Sequence, residues 1–251
     1  MKIITYCLDE TITPIEHICI KSWLNNGYEV DLYTYSKNPT DLKVNIKNAE
    51  KLIKIEEINK ILIKMSKKFF FKIKLMYILG GIVIDPDVYC IKYYNFEEES
   101  LVSCSPTPNY LDSYPDFSIM KFPKRCKEIQ YIVHHFFMLY NDVINGYNTL
   151  FNINMILMKL VNKVFILNKK EWKFSNSCYE EHWKLQLKLP INIEKLKNFE
   201  GGKKDYIVDI KDLTYFVKIW QDWYIQYIPN FDIVNYKESL LAKLLREKSS
   251  K

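Results

Sequence analysis

The sequence predicts an α/β protein built on a largely parallel sheet. Residues 2–8 read as a strand, a proline-opened helix follows, and residues 29–35 alternate as a second strand; this is the order of a βαβ unit. A long apolar stripe then ends at Gly80-Gly81, and the β-branched run Ile82-Val83-Ile84 follows at once. That run stops at Asp85 and Asp87. Two carboxylates are therefore expected at the C-terminal edge of a buried strand, where open α/β sheets hold their ligands.

Each element has its own signal. Pro14 opens a helix over residues 15–24, which closes near Gly27. Residues 43–55 are ambiguous and are expected to carry a short strand. Ile58, Ile61, Leu62, Met65, Phe69, Ile73, Met76 and Tyr77 recur at three- and four-residue steps and predict one helix over residues 58–79. The lysines between them are read as its solvated face. Gly80 sits where a helix terminus needs positive φ. Short strands and loops are expected over residues 89–123, with an irregular segment at Ser105-Pro106-Thr107-Pro108-Asn109. Helices are expected at 128–140 and 150–161, a strand at 164–167, an insertion at 185–202, and an amphipathic helix at 237–248. With no repeat and no long linker, one domain over 1–236 and a helical tail over 237–251 is the simplest organisation.

Composition narrows the classes. A chain of 251 residues with 48% hydrophobic and 15% aromatic residues can bury a sizeable core, which excludes disorder. The formal charge of +6 suits an anionic ligand. The lysines are dispersed along the chain and do not form a basic stripe, so nucleic acid is not the expected partner. The six cysteines, Cys7, Cys19, Cys90, Cys104, Cys126 and Cys178, include no C-x-x-C pair and are read as free thiols in a reducing compartment. The N-terminus reads as a strand and not as a signal peptide, and Lys64, Lys67, Lys68, Lys72 and Lys74 interrupt the most apolar region. A cytoplasmic protein without a transmembrane segment is expected; peripheral contact with a membrane stays open.

Strand alternation would point Asp85 and Asp87 to one side and Pro86 to the other. Two carboxylates facing one way suit a hard divalent cation that shares a diphosphate. The competing reading of an isolated D-P-D is a turn with solvated acids.

The central block, from Lys72 through Leu75-Met76-Tyr77-Ile78-Leu79-Gly80-Gly81-Ile82-Val83-Ile84-Asp85-Pro86-Asp87-Val88, resembles the sugar-binding DxD region of glycosyltransferase family 32 and of related capsular polysaccharide transferases. Ser22-Trp23-Leu24-Asn25-Asn26-Gly27, Asp116-Phe117-Ser118-Ile119-Met120-Lys121-Phe122-Pro123 and Val217-Lys218-Ile219-Trp220-Gln221 resemble other family segments, in the same order. The resemblance implies a GT-A fold, a Rossmann-like mixed sheet with helices on both faces. It also implies transfer of a sugar, with retention, from a UDP- or GDP-sugar to a glycan, protein or lipid-linked acceptor, as in polysaccharide biosynthesis. Mn²⁺ or Mg²⁺ would be held by Asp87 with Asp85. Donor-binding residues would be Asp85, Asp87, Gly81, Lys72, Tyr6, Lys218 and Trp220; no catalytic nucleophile is indicated.

Three positions depart from the family pattern. Phe69 stands where members often carry an Asp, Lys72 replaces an Arg, and Lys218 replaces a His. A protonated Lys could contact phosphate but could not ligate a metal. A catalytically inactive nucleotide-sugar or glycan-binding protein on the same fold is therefore the alternative. Lys72 as a surface lysine, Tyr6 and Trp220 as core aromatics, and the glycine pair as a cap and turn are the structural readings beside the functional ones. His134-His135 reads as surface or packing, and Cys178 with His182 lacks the further ligands that zinc needs.

Overall fold

The computed structural model describes residues 1–97, 100–105, 114–146, 179–181 and 216–218. The chain opens with β1 (Lys2–Cys7), α1 (Pro14–Asn25) and β2 (Glu29–Thr34). β1 and β2 pair in parallel from Lys2↔Glu29 to Cys7↔Thr34, so the βαβ unit forms as expected. Thr13 and Glu16 fix the start of α1. The Glu16 amide donates to the Thr13 hydroxyl (3.2 Å), and the Thr13 amide donates to the Glu16 carboxylate (2.8 Å). This reciprocal box satisfies two amides that a helix start leaves open. The ambiguous stretch resolves into β3 (Asn45–Asn48), parallel to β2, and a 3-10 turn at Ala49–Lys51.

The stripe over residues 58–79 is not one helix. It divides into α2 (Ile55–Asn59) and α3 (Lys64–Leu79). Ile58 and Ile61 are still buried, but Leu62, which the period placed in the core, is 76% exposed. Ile63 takes extended backbone, a conformation that suits a β-branched residue. The amides of Leu62 and Ile63 donate to the Tyr140 hydroxyl at 2.6 and 3.2 Å. A phenol from another helix thus accepts the bonds that a continuous helix would have made internally. The lysine face differs from expectation too: Lys72 is buried, and Lys74 is half-buried, paired with Glu57 and lying over the Phe70 ring.

α3 stops at Gly80, whose φ is 67°. A Cβ there would stand 2.4 Å from the Lys124 amide nitrogen, so both the conformation and the contact require glycine. The chain continues with β4 (Gly81–Ile84), β5 (Val88–Cys90), β6 (Leu101–Ser105), β7 (Tyr114–Phe122), α4 (Lys127–Gly146), β8 (Tyr179–Glu181) and β9 (Phe216–Lys218). The main sheet has the order β3-β2-β1-β4-β7-β6. Its first four strands are parallel, while β7 is antiparallel to β4 and to β6. A smaller sheet has the order β5-β9-β8.

Helices cover both faces of the main sheet. On one, Phe70, Phe71, Ile73 and Met76 of α3 and Ile132 and Phe136 of α4 pack with Ile4, Tyr6, Val83 and Met120. On the other, Ile20 and Trp23 of α1 pack with Ile3, Val30, Ile82, Ile84 and Phe216. Ile3 and Ile4 fall in opposite layers because successive strand side chains alternate. This is the mostly parallel, Rossmann-like α/β sheet that the sequence predicts. Cys7, Cys19, Cys90 and Cys126 are free thiols. Among the described residues no helix is long and apolar enough to cross a membrane. The elements expected at 150–161, 164–167, 185–202 and 237–248 lie outside the described residues, as does the tail over 237–251.

Candidate active site at the end of the fourth strand

The site forms where β4 gives way to β5. The Asp85 amide donates to the Ser118 carbonyl of β7 (2.8 Å), and this bond carries the sheet one residue past Ile84. The Val88 amide then donates to the Asp85 carbonyl (3.1 Å), closing a tight turn over Pro86 and Asp87. Asp85 and Asp87 do meet on one side, but the turn brings them there and not the strand alternation that the sequence suggested. Both are buried, at 8% and 9% exposure, which removes the reading of solvated turn acids. The Thr5 hydroxyl donates to the Ile84 carbonyl (2.8 Å) and ties the end of β1 to the same edge.

Two buried lysines reach the acids from different elements. Lys72, near the middle of α3, donates to Asp85 Oδ1 at 2.7 Å. It is not the surface lysine that its helix position allowed. Lys218 comes from β9, where the register sets it opposite Val88. Its Nζ donates to Asp85 Oδ2 at 3.0 Å and to Asp87 Oδ1 at 2.5 Å. The Tyr6 hydroxyl adds a bond to Asp85 Oδ1 at 2.9 Å. Tyr6 therefore belongs to the site through its hydroxyl, while its ring packs against Phe71 with centroids 5.7 Å apart.

This arrangement separates the behaviour of the two acids. Burial pushes the Asp85 carboxyl up, but Lys218 and Lys72 outweigh it and hold the group well below the usual carboxylate range. Burial dominates at Asp87: together with the charge of Asp85 it outweighs Lys218, and the carboxyl lies above its ordinary value. Burial, then the charge of Asp85, push the Tyr6 phenol well up, so it stays a neutral donor at neutral pH.

Lys64, Lys68 and Lys72 recur at four-residue steps and so share one line along α3. Lys64 is exposed and paired with Asp9 at 3.0 Å. Lys68 is half-buried, and its charge lowers the carboxyls of Asp87 and Glu16. Lys72 is buried at the bottom. The line descends from solvent to the acids; the four-residue spacing is in the sequence, although the lysines read there as a solvated face.

Other expected site residues lie elsewhere. Gly81 opens β4, at the opposite edge of the sheet from Asp85, four residues or about 13 Å away. The structure does not bring it to the acids. Phe69 is a packing residue, edge-on to Phe117 and stacked on Phe136. Trp220 lies outside the described residues. His135 stacks on Tyr131, and among the described residues no group of three or more His, Cys, Asp or Glu side chains gathers as a metal site.

The two acids do not fit a shared divalent ion in this arrangement. Oδ1 of Asp85 accepts from Lys72 and Tyr6, and Oδ2 accepts from Lys218. The Lys218 ammonium holds the space between Asp85 Oδ2 and Asp87 Oδ1, and it has no lone pair to offer a metal.

No protein-family model and no curated protein matches the chain. Among solved structures it is similar to one described as "PaToxG Glycosyltransferase", with 12% identity and a TM-score of 0.47 over 66% of this chain and 69% of that one.

Proposed function

We propose that this chain is a GT-A-type glycosyltransferase that moves a sugar from a UDP- or GDP-sugar to a glycan, protein or lipid-linked acceptor. The observation that carries the reading is the buried set Asp85, Asp87, Lys72 and Lys218 at the C-terminal edge of the parallel strands. Charge is costly to bury and is kept where chemistry uses it. The edge is where α/β sheets bind nucleotides, and the family-like G-G-I-V-I-D-P-D segment leads to it.

In the reaction the sugar C1–O bond to the diphosphate breaks, and its electron pair stays on the phosphate oxygen. The acceptor hydroxyl oxygen forms the new C1–O bond and gives up its proton. The products are the glycosylated acceptor, a nucleoside diphosphate and one proton. The sequence resemblance implies a retaining transfer. Negative charge grows on the departing diphosphate, so fixed positive charge beside it lowers the barrier, and the line of lysines on α3 provides an approach for an anionic donor. Mn²⁺ or Mg²⁺ is the cofactor that the resemblance implies, but the donor set described above gives it no step here.

The test is release of free nucleotide from a panel of UDP- and GDP-hexoses by the full chain, with Asp87→Ala alongside. Asp87 holds the Lys218 ammonium at 2.5 Å, so its removal displaces the positive charge that faces the leaving diphosphate and is expected to lower turnover by about 100-fold or more. Turnover unchanged by Asp87→Ala refutes the assignment. Phe69 and Lys218 favour a second reading, a nucleotide-sugar-binding protein without transfer activity. Donor binding without any nucleotide release selects it.

A further inference from the structure

We propose that the Lys218 ammonium is the built-in cation of the donor site, neutralising the diphosphate in place of a divalent metal held by Asp85 and Asp87. The inference deepens the glycosyltransferase reading and rests on it. A metal shared by the two acids would have to stand about 2.0–2.6 Å from their oxygens. The ammonium already bridges those oxygens, at 3.0 Å from Asp85 Oδ2 and 2.5 Å from Asp87 Oδ1. It is not a wandering surface chain, because β9 pairs with β5 immediately after the acids and Lys218 is buried.

Asp85 is committed on both oxygens, to Lys72 and Tyr6 on one and to Lys218 on the other. Its role is to position a cation that the chain itself carries. A dication added there would stand directly beside the buried ammonium groups of Lys72 and Lys218 and be repelled by both. Lysine is a common phosphate partner and acts as a point charge. As the C1–O bond breaks and its electron pair moves onto the diphosphate, Lys218 meets that growing charge. The acceptor proton leaves with the products as before.

The experiment titrates UDP and GDP into the full chain by calorimetry, once in EDTA and once in Mn²⁺, and measures nucleotide release from UDP- and GDP-hexoses in both. Affinity and turnover are expected to agree within about twofold between the two conditions. Lys218→His supplies a lone pair at the same place and is expected to make nucleotide binding Mn²⁺-dependent, with the free Mn²⁺ electron-resonance signal lost only in that variant, beyond what the nucleotide alone removes. The native chain carries the decisive comparison, so a variant that fails to fold does not weaken it. Nucleotide binding that vanishes in EDTA, or stoichiometric Mn²⁺ uptake by the native chain, overturns the proposal and leaves the glycosyltransferase reading standing. No nucleotide binding in either condition overturns both.

Discussion

The two ends of β4 lie four residues apart and are built on different physics. At its start, Gly80 and Gly81 take positive φ, and Gly80 fits against the Lys124 backbone with no room for a side chain. At its finish, Asp85 and Asp87 are buried among ammonium groups. One end is held by shape and the other by charge. A motif that runs G-G to D-P-D reads as one unit along the sequence, yet the strand between its halves sends them to opposite edges of the sheet. The glycines fix where the strand begins; the acids use where it ends.

Substitution can break that contrast. Asp85→Asn should cost most, about 3–5 kcal/mol, because it leaves buried Lys72 against a neutral amide and Lys218 with Asp87 as its carboxylate partner. Urea unfolding measures the loss, and nucleotide affinity should fall with it. The same variant tests the acid limb of stability. The Asp85 carboxyl is lowered on folding, so its contribution is complete above the unfolded value of about 4 and is lost as pH falls below it. Asp87, raised on folding, works in the opposite direction. A shallower acid limb is expected in Asp85→Asn, and a limb identical to the native one contradicts an ionised Asp85 in the fold. At the other end, Gly80→Ala should cost about 2–3 kcal/mol from the positive φ and the clash at 2.4 Å, while nucleotide affinity of the folded protein stays native. A matched loss of affinity would join the two ends into one site. Smallest is Gly27→Ala, where φ is 84° but nothing stands within 4 Å of the added carbon; about 1 kcal/mol is expected, from conformation alone.

The fold was legible where period and punctuation agree. Pro14, Gly27 and the alternation of residues 29–35 suffice for the βαβ unit. The helix-breaking joint at residues 60–63 was not legible, because it depends on the Tyr140 hydroxyl, 77 or 78 residues away in the chain. Thr13-Pro14-Ile15-Glu16 carried a capping box in plain view, of which the sequence reading used only the proline. At the site, Asp85 and Asp87 could be found because strand ends and paired acids have local signatures. Lys218 was marked as a departure from a pattern, but its contact with both acids needs the β5–β9 register, which is long-range. Lys72 was marked as a donor-binding residue by the resemblance alone, with a surface lysine as the reading beside it, because helical period cannot tell a solvated face from one turned toward a buried charge.

The short strand that follows the acids has one further property. β9 covers one side of β5, and α1 covers the other with side chains. The Trp23 indole donates to the Val88 carbonyl (2.7 Å), the Cys90 amide donates to the Ser22 hydroxyl (2.8 Å), and the Asn26 amide group donates to the Cys90 carbonyl (3.2 Å). A strand left open on that side would be a template for a neighbouring molecule. Here the seam is stitched shut from within, so intermolecular β-pairing at this strand requires α1 to detach first, and the loop that carries the acids is shielded from aggregation by a helix on the far face of the sheet.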